Sequence, residues 1–172
     1  LTAKTFGIDY RVVDLSDIYD AFIELLPPGS QMANANIKPR LRMITLYSIA
    51  ASEGRLVVVT GNRSERHMGY FTKWGDGACD INPIADLTVR EVYEFLRYLG
   101  APQHIIDKAP SAGLFEGQTD EKEMGVTYAA IDRYLLEGEV GAKDKEIIDR
   151  YHARSAHKRT MPLCYGEDTP QR

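Results

Sequence analysis

The stretch 57–83, VVVTGNRSERHMGYFTKWGDGACDINP, decides how the chain is interpreted, because its pattern changes abruptly within a few residues. Residues 55–59, RLVVV, form a continuous apolar run, which is typical of a parallel strand covered on both faces. The run stops at Thr60-Gly61, and glycines, charged side chains and aromatics follow it. Ligands of open α/β sheets bind beyond the carboxyl ends of the strands, so the sequence predicts a ligand site here.

The residues after this strand suit an anionic ligand. Either Asn62 or Ser64 is able to cap the next helical turn, whose N–H groups and positive dipole end favour an anion. Glu65 adds a carboxylate where phosphates would gather. That arrangement is favourable only with a divalent cation, and Mg²⁺ binds through one or two carboxylates plus substrate phosphates. On these residues alone, an irregular and well-capped surface loop remains an equal alternative.

Strand and helix patterns alternate through the first third of the chain. Residues 10–15, YRVVDL, are predicted to form a short buried strand, and Ser16 to cap the helix that follows. Four apolar residues mark the inner face of that helix: Ile18, Phe22, Leu25 and Leu26. After a loop at 30–35, a helix starts at Asn36 and ends before Gly54. It is apolar nearly all round, which predicts burial on several sides, with a second subunit as one possible cover.

The later segments are mainly helical. Asp86 or Thr88 is expected to start an amphipathic helix, and further helices are predicted within 102–108, 123–138 and 142–158. Alternation with right-handed crossovers implies an α/β, doubly wound parallel sheet. Only two strands are evident and the chain does not begin with Met. We therefore expect an N-terminal portion to be absent from this single domain, residues 1–172.

Composition limits the classes of function. The net charge of −4 argues against a nucleic-acid surface, which usually has a basic excess. No apolar stretch reaches the roughly 18–20 residues of a membrane span, and no signal peptide is recognisable, so a cytoplasmic location is predicted. Cys79 and Cys164 have no metal-ligand spacing. The basic clusters KPRLR (38–42) and HKR (157–159) are, by composition alone, solvated faces.

The block TGNRSERHMGYFTKWGDGACDINPIADL, residues 60–87, resembles the central motif of the ammonia-dependent NAD⁺ synthetase family. Other matching segments occur in the family's order and extend the resemblance over nearly the whole chain: NIKPRLRMITLY, PSAGL, QTDE and SAHKR. The resemblance implies an adenine-nucleotide α-hydrolase-like (Rossmann-like) fold and a homodimer. It also implies the reaction: ATP- and Mg²⁺-dependent amidation of deamido-NAD⁺ by ammonia to NAD⁺. This reaction proceeds through an acyl-adenylate and releases AMP and diphosphate.

The resemblance further implies roles for individual residues. Thr60 and Ser111 would contact ATP, and Glu65 would bind Mg²⁺. Asp76 lies in a mobile loop that would close over the reacting centre, where Lys73 also acts. Five residues would bind deamido-NAD⁺: Arg40, Lys73, Asp80, His157 and Lys158. The two basic clusters thereby become binding elements, because an acidic dinucleotide with a carboxylate needs cations close by.

Two departures from the family pattern weaken the expectation of activity. The Ser-Gly-Gly-x-Asp-Ser diphosphate loop does not occur in the 172 residues, and Val89 stands where the family has a lysine expected to touch ATP. Weak or no turnover is therefore predicted for these residues alone. A non-catalytic dinucleotide-binding or dimerisation module that has lost this loop is the alternative. Another amidating enzyme of the N-type ATP pyrophosphatases fits GYFTKWGDG and HKR less well.

Overall fold

Helices make up most of the regular structure in this computed structural model, which describes residues 2–115, 117–162 and 164. A 3₁₀ turn, Ala156–Lys158, follows the last helix. The ten α-helices of the described residues are, in chain order, α1 (Thr2–Phe6), α2 (Ser16–Leu25), α3 (Gln31–Ala35), α4 (Ile37–Glu53), α5 (Arg63–Met68), α6 (Val89–Tyr98), α7 (Gln103–Ile106), α8 (Asp120–Met124), α9 (Tyr128–Glu137) and α10 (Ala142–Arg154).

The predicted sheet is reduced to one isolated parallel bridge, between Val58 and Ile81, within the described ranges. Two backbone hydrogen bonds support it, from Val59 N to Ile81 O (3.0 Å) and from Asp80 N to Val57 O (2.9 Å). The apolar run 55–59 therefore pairs with the segment after the glycine-rich loop, a pairing that the sequence did not predict. The doubly wound sheet is not observed in this part of the chain.

The prediction of a buried strand at 10–15 is wrong for the described structure. Tyr10 is 72% exposed and Val12 81% exposed, and neither lies in a paired strand. A strand that is apolar on both faces needs neighbours on both sides, and the described residues supply none. Ser16 does not cap α2 either, because its N–H and its hydroxyl both donate to Asp14 Oδ1, at 2.9 and 2.7 Å.

Helices α2 and α4 likewise expose apolar side chains that were predicted to be inside. The four residues of the predicted inner face in and just after α2 are 42–83% exposed: Ile18, Phe22, Leu25 and Leu26. In α4 the buried residues are Pro39 and Ala50, whereas Ile44 is 58% exposed. The segment predicted as a loop before α4 forms α3, and Ser30 Oγ accepts its Ala33 N–H at 3.2 Å.

The core lies in the second half of the chain, where α5, α6, α9 and α10 pack together with α8. Its buried apolar members are Met68, Val89, Met124, Val126, Tyr128, Ile131 and Ile148. Of the two predicted starts for α6, the structure uses Thr88, whose hydroxyl and backbone form a capping box with Glu91. Because Val89 belongs to this core, its side chain is not available to a phosphate.

A buried carboxylate joins three of these helices. Asp132 in α9 accepts the Ser64 hydroxyl at 2.5 Å and the Arg90 N–H at 2.7 Å. Ser64 Oγ in turn accepts the Val89 N–H at 3.3 Å. The negative charge therefore lies at the N-terminal end of α6, where the helix dipole favours it. This junction fixes α5, the helix that carries Glu65.

Candidate active site

Glu65 is held at the start of α5 by a reciprocal cap. Asn62, not Ser64, is the capping residue: its Oδ1 accepts the Glu65 N–H, and Glu65 Oε2 accepts the Asn62 N–H, both at 2.9 Å. Burial raises the pKa of Glu65 to about 7, and the nearby carboxylates of Asp120 and Asp76 add to the rise. A cation next to this carboxyl would remove the cost of ionising it.

Helix α5 ends at Gly69, where the chain turns towards the C-terminal tail. Gly69 has φ of +64°, and a Cβ added there would lie 2.1 Å from the Ser155 Cβ. Glycine is therefore required both by the left-handed backbone and by the close approach of the tail. The turn brings residues 155–159 against the segment 69–73.

The loop that follows is organised around Thr72. Its carbonyl accepts the N–H groups of Gly75 and Gly77, at 2.9 and 3.2 Å, while Asp76 Oδ1 accepts the Thr72 N–H at 3.0 Å. Trp74 adopts a φ of +61°, which is uncommon for a bulky residue, and is 50% exposed. Strained backbone of this kind persists where the surroundings impose it, often at ligand sites.

Four of the five predicted dinucleotide-binding residues come together here. Lys73 Nζ donates to His157 O at 2.5 Å, and Arg40 Nη2 donates to Lys73 O at 3.3 Å. Lys158 Nζ donates to the carbonyls of Gly69 and Phe71, at 2.8 and 2.7 Å. An ammonium group has three hydrogens, so Lys158 keeps one for a ligand.

Asp80 lies apart from these residues. Its Oδ2 accepts the Val57 N–H at 2.7 Å, so the carboxylate supports the bridge between the two extended segments. It does not line the cavity beside Lys158. The predicted contact between Asp80 and deamido-NAD⁺ therefore stays a prediction without support from the neighbouring residues.

The two predicted ATP contacts occupy separate surface positions. Thr60 is exposed directly after the bridged segment 57–59. Ser111 is also exposed, and its hydroxyl donates to Gln118 O at 2.7 Å and accepts the Gly113 N–H at 3.1 Å. Both hydroxyls lie where a ligand can reach them, and their roles stay predictions.

A cavity of about 360 Å³ opens between the start of α4, the loop 69–77, the loop 112–118 and the end of α10. Three cations, Arg42, Arg154 and Lys158, and two carboxylates, Asp76 and Glu123, are among its lining residues. Arg42 and Arg154 were not singled out from the sequence. Arg42 stands in the basic cluster KPRLR, which was the available signal, whereas Arg154 required knowledge of where α10 ends.

The wall formed by loop 112–118 is fixed by side chains that sequence reasoning missed. Glu123 Oε2 accepts both the Tyr70 hydroxyl and the Gln118 amide, each at 2.8 Å. Gln118 Oε1 accepts the Leu114 N–H at 2.9 Å, and Lys38 Nζ donates to Leu114 O at 2.7 Å. Two of these contacts, Tyr70 with Glu123 and Lys38 with Leu114, join residues far apart in the chain, and no local sequence pattern indicates them.

A metal ion would need ligands beyond the nearby protein side chains. Within the described ranges, no group of three or more His, Cys, Asp or Glu side chains is arranged to hold one. The raised pKa of Glu65 and the neighbouring Asp120 and Asp76 nevertheless favour a cation at this point. As for membranes, the described helices include none of the length and apolar character needed to cross one.

Both the sequence and the backbone of this chain match known proteins. The profile of the NAD synthase family matches residues 1–163. An NH₃-dependent NAD⁺ synthetase from Carboxydothermus hydrogenoformans is 52% identical over 167 residues, which cover 94% of this chain and 69% of that protein. One from Alkaliphilus metalliredigens is 59% identical over 132 residues, covering 77% of this chain and 53% of that protein.

The backbone of this chain also resembles that of a solved structure. The chain superposes on an NMN synthetase from Francisella tularensis with a TM-score of 0.91 at 43% identity. That match covers 96% of this chain and 70% of the solved one. None of the three relatives named here is a non-catalytic module, so none supports that alternative.

Proposed function

This chain belongs to the NAD synthase family, and on that premise we propose that it carries the pyridine-nucleotide side of an ATP-dependent amidating ligase. The substrates are deamido-NAD⁺, ATP and ammonia, and the products are NAD⁺, AMP and diphosphate. The observation that carries this proposal is the hydrogen-bonded grouping of Arg40, Lys73 and the His157 carbonyl next to Lys158, which lines the cavity.

The cations of this site suit a substrate with a carboxylate and phosphates. Lys158 lines the cavity with one ammonium hydrogen still available, and Arg42 and Arg154 line the same cavity. Charge-assisted hydrogen bonds to carboxylate or phosphate are shorter and about twice as strong as neutral ones. Lys73 and Arg40, held by backbone carbonyls at the rim, extend this positive surface.

The reaction activates a poor acylating agent. A carboxylate oxygen of the nicotinate attacks the α-phosphorus of ATP, the bond to diphosphate breaks, and an acyl-adenylate forms. Ammonia then attacks the carbonyl carbon, the bond to AMP breaks, and the nitrogen loses a proton. Asp76 lines the cavity with one carboxylate oxygen on the Thr72 N–H, which supports Asp76 as the group that orients ammonium or accepts its proton.

Glu65 would hold Mg²⁺, with the remaining ligands supplied by water and ATP phosphates. When bound, the ion would neutralise the charge that develops on the departing diphosphate. The structure leaves Glu65 Oε1 without the capping hydrogen bond that occupies Oε2, so one oxygen suffices for the cap. Thr60 and Ser111 are the proposed ATP contacts of this chain, consistent with their exposure.

The full-length protein that contains this chain provides the test. With deamido-NAD⁺, Mg-ATP and ammonium, NAD⁺, AMP and diphosphate should form in equal amounts. Lys73→Met should lower kcat/KM for the nucleotide by about 100-fold, whereas Lys122→Met, on the exposed side of α8, should leave it unchanged. Release of ADP in place of AMP, or an unaffected Lys73→Met variant, would contradict the proposal.

A second candidate substrate is the nicotinate mononucleotide. Its support is the TM-score of 0.91 against an NMN synthetase, together with a cavity near the lower end of the usual size for ligand sites, about 300–1,000 Å³. Parallel assays with the mononucleotide and the dinucleotide decide between them. The larger kcat/KM identifies the substrate, and amidation of neither one would reject both candidates.

We further propose that the exposed apolar side chains are covered in the assembled protein. Val12, Ile44 and Leu56 are 81%, 58% and 64% exposed, and exposed apolar surface of this kind, where it is contiguous, marks a protein–protein contact. A doubly wound parallel sheet of adenine-nucleotide α-hydrolase-like type, with 57–59 as one strand of a single domain, would cover Val12 and Leu56. A homodimer through α4 would cover Ile44. Ile44→Glu should convert a dimer into monomers in sedimentation experiments, and an unchanged mass would reject this interface.

A further inference from the structure

The C-terminal ends of α5 and α10 meet at one point, which we call the helix-end junction (residues 66–69 and 152–159). The last four carbonyl groups of a helix lack partners within that helix, and positive charge is favourable beside them. At this junction two helices present such carbonyls to each other. A cation between the two helix ends would therefore donate hydrogen bonds to carbonyl groups of both.

Arg159 occupies that position. Its Nη2 donates to His152 O at 2.6 Å, and its Nη1 donates to Ser155 Oγ at 2.7 Å. Nη1 also lies 3.4 Å from the carbonyl oxygens of Arg66 and His67, in the last turn of α5. One guanidinium group thus contacts the ends of both helices.

The surrounding residues leave little freedom at the junction. Ser155 is 4% exposed, and its hydroxyl donates to Tyr151 O at 2.7 Å while it accepts from Arg159. His152 Nδ1 lies 2.9 Å from His67 O. Gly69 has no room for a side chain on its Ser155 side. The junction therefore has a fixed geometry, and removal of the guanidinium group takes away the donor that the ends of both helices share.

The junction is adjacent to the proposed substrate contacts. Lys158, next to Arg159 in the chain, donates to Gly69 O and Phe71 O, and Lys73 donates to His157 O. These bonds span the same two segments that Arg159 joins. A change in the angle between α5 and α10 would therefore move Lys158 relative to Lys73.

We propose that Arg159 is a positioning residue: it sets the separation between the tail lysine, Lys158, and the loop 69–77, and thereby shapes the pyridine-nucleotide site. This inference rests on the proposed function for its kinetic consequence. Arg159 lines neither the cavity described above nor the smaller one beside Met68 and His157, whereas Lys158 lines both. Its effect passes through Lys158 and the loop.

The test compares Arg159→Met and Arg159→Lys with Arg150→Met in the full-length protein. Arg150 is an exposed arginine on α10 that lies outside the helix-end junction. Arg159→Met should raise the KM for the nicotinate nucleotide by about tenfold or more, with the KM for ATP nearly unchanged, because misplacement of about 1 Å is enough for such losses. Arg159→Lys should recover part of the loss, and Arg150→Met should behave as wild type.

A second measurement needs no turnover. Amide hydrogen exchange in residues 66–77 should be faster in Arg159→Met than in wild type and unchanged in Arg150→Met. Unchanged exchange, or equal increases in both KM values, would overturn the positioning role. If the wild-type protein amidates neither nucleotide, the proposed function fails, and the exchange comparison still decides whether Arg159 fixes the junction. If Arg159→Met does not fold, the Arg159→Lys comparison serves the same purpose.

Discussion

The two halves of this chain bury their apolar side chains to different extents. Between 64 and 148, Met68, Ile131 and Ile148 are fully buried, and the polar groups Ser64 and Asp132 bond to each other inside the same core, although Tyr98 at the end of α6 is 85% exposed. Between 8 and 58, by contrast, large apolar residues remain open, with Val12 81% exposed. The difference shows that apolar patterning identifies a surface to be covered but does not identify what covers it.

The residues of the candidate site also come from both halves of the chain. Arg154, Lys158, the turn at Gly69 and Glu65 attach to the packed half through α5, α10 and the tail, whereas Arg40 and Arg42 come from α4 in the open half. Rigid support is available where polar groups are satisfied and apolar groups are buried. The expected effects of substitution should therefore differ between the halves, and the following variants test that difference.

The largest expected effect concerns Glu65. Glu65→Gln keeps an oxygen that can accept the Asn62 N–H, but it removes the charge that would hold Mg²⁺. In the full-length protein it should fold as wild type and lose about 1,000-fold in Mg²⁺-dependent turnover, the upper range for loss of one electrostatic group. Steady-state kinetics and thermal melting measure both properties. A near-normal rate would remove Glu65 from the metal site.

The next comparison makes the same truncation in each half. Ile148→Ala, at a fully buried position, should lower the free energy of unfolding by about 2–5 kcal/mol. Ile18→Ala, at a position that is 55% exposed, should cost about 0.5 kcal/mol in the 172-residue chain. Urea denaturation of both variants measures this. Equal losses of unfolding free energy in the two variants would mean that Ile18 is packed against other residues of this chain in solution.

A glycine pair separates backbone strain from close packing. Gly69 and Gly54 both end helices with φ near +60°, at +64° and +63°. A Cβ at Gly69 would meet Ser155 at 2.1 Å, whereas none of the described atoms lies within 4 Å of one at Gly54. Gly54→Ala should cost about 1 kcal/mol from the backbone alone, and Gly69→Ala should cost more. Similar unfolding free energies for the two variants would show that the tail does not press on Gly69.

The smallest effect expected is a change in pH dependence. His67 stacks on His152 with ring centroids 4.1 Å apart, and its buried Nε2 has no hydrogen-bond partner among the described residues. Burial, with further contributions from the charges of His152, Arg159 and Arg63 against that of Asp149, lowers the pKa of His67 to about 4. Because this lies below the ordinary value of 6.5, the unfolded chain takes up the proton first as the pH falls.

The stability that His67 contributes is therefore present above about pH 6.5 and is lost progressively as the pH falls towards 4. Glu65 acts in the opposite sense: its contribution is complete below about pH 4.5 and is lost as the pH rises through 7. In a Glu65→Gln background, His67→Gln should flatten the acid limb of urea-denaturation free energies plotted against pH. An unchanged slope would assign the acid limb to other groups.

Much of the packed half was accessible to sequence reasoning. Thr88, one of the two predicted starts of α6, is confirmed, and so are helices within 102–108 and 142–158, because capping and periodicity act at short range. The helix predicted within 123–138 is instead divided into α8 and α9. The bridge between Val58 and Ile81 was not predicted, since strand pairing is set by distant residues. The burial expected for 10–15 and α2 was wrong because it depends on neighbours that the described residues do not provide.

The candidate site, like the fold, was predicted only in part from the sequence. Motif resemblance selected Arg40, Lys73, His157 and Lys158, which the structure brings together, yet it gave no reason to notice Arg159 or Glu123. Glu123 accepts a hydrogen bond from Tyr70, 53 residues away, and Arg159 donates to carbonyls at the ends of α5 and α10. Neither contact leaves a local sequence signature. The role of Asp80 stays a prediction, and motif resemblance gave no indication that its carboxylate accepts the Val57 N–H.

The most direct test of the account follows the oxygen atoms of the substrate carboxylate. The full-length protein is given a nicotinate nucleotide whose carboxylate carries heavy oxygen, together with Mg-ATP and ammonium, and the products are analysed by mass spectrometry. If the carboxylate attacks the α-phosphorus, each amide formed leaves one labelled oxygen in AMP. Label in inorganic phosphate with release of ADP, or AMP without label, would contradict adenylate formation at this site.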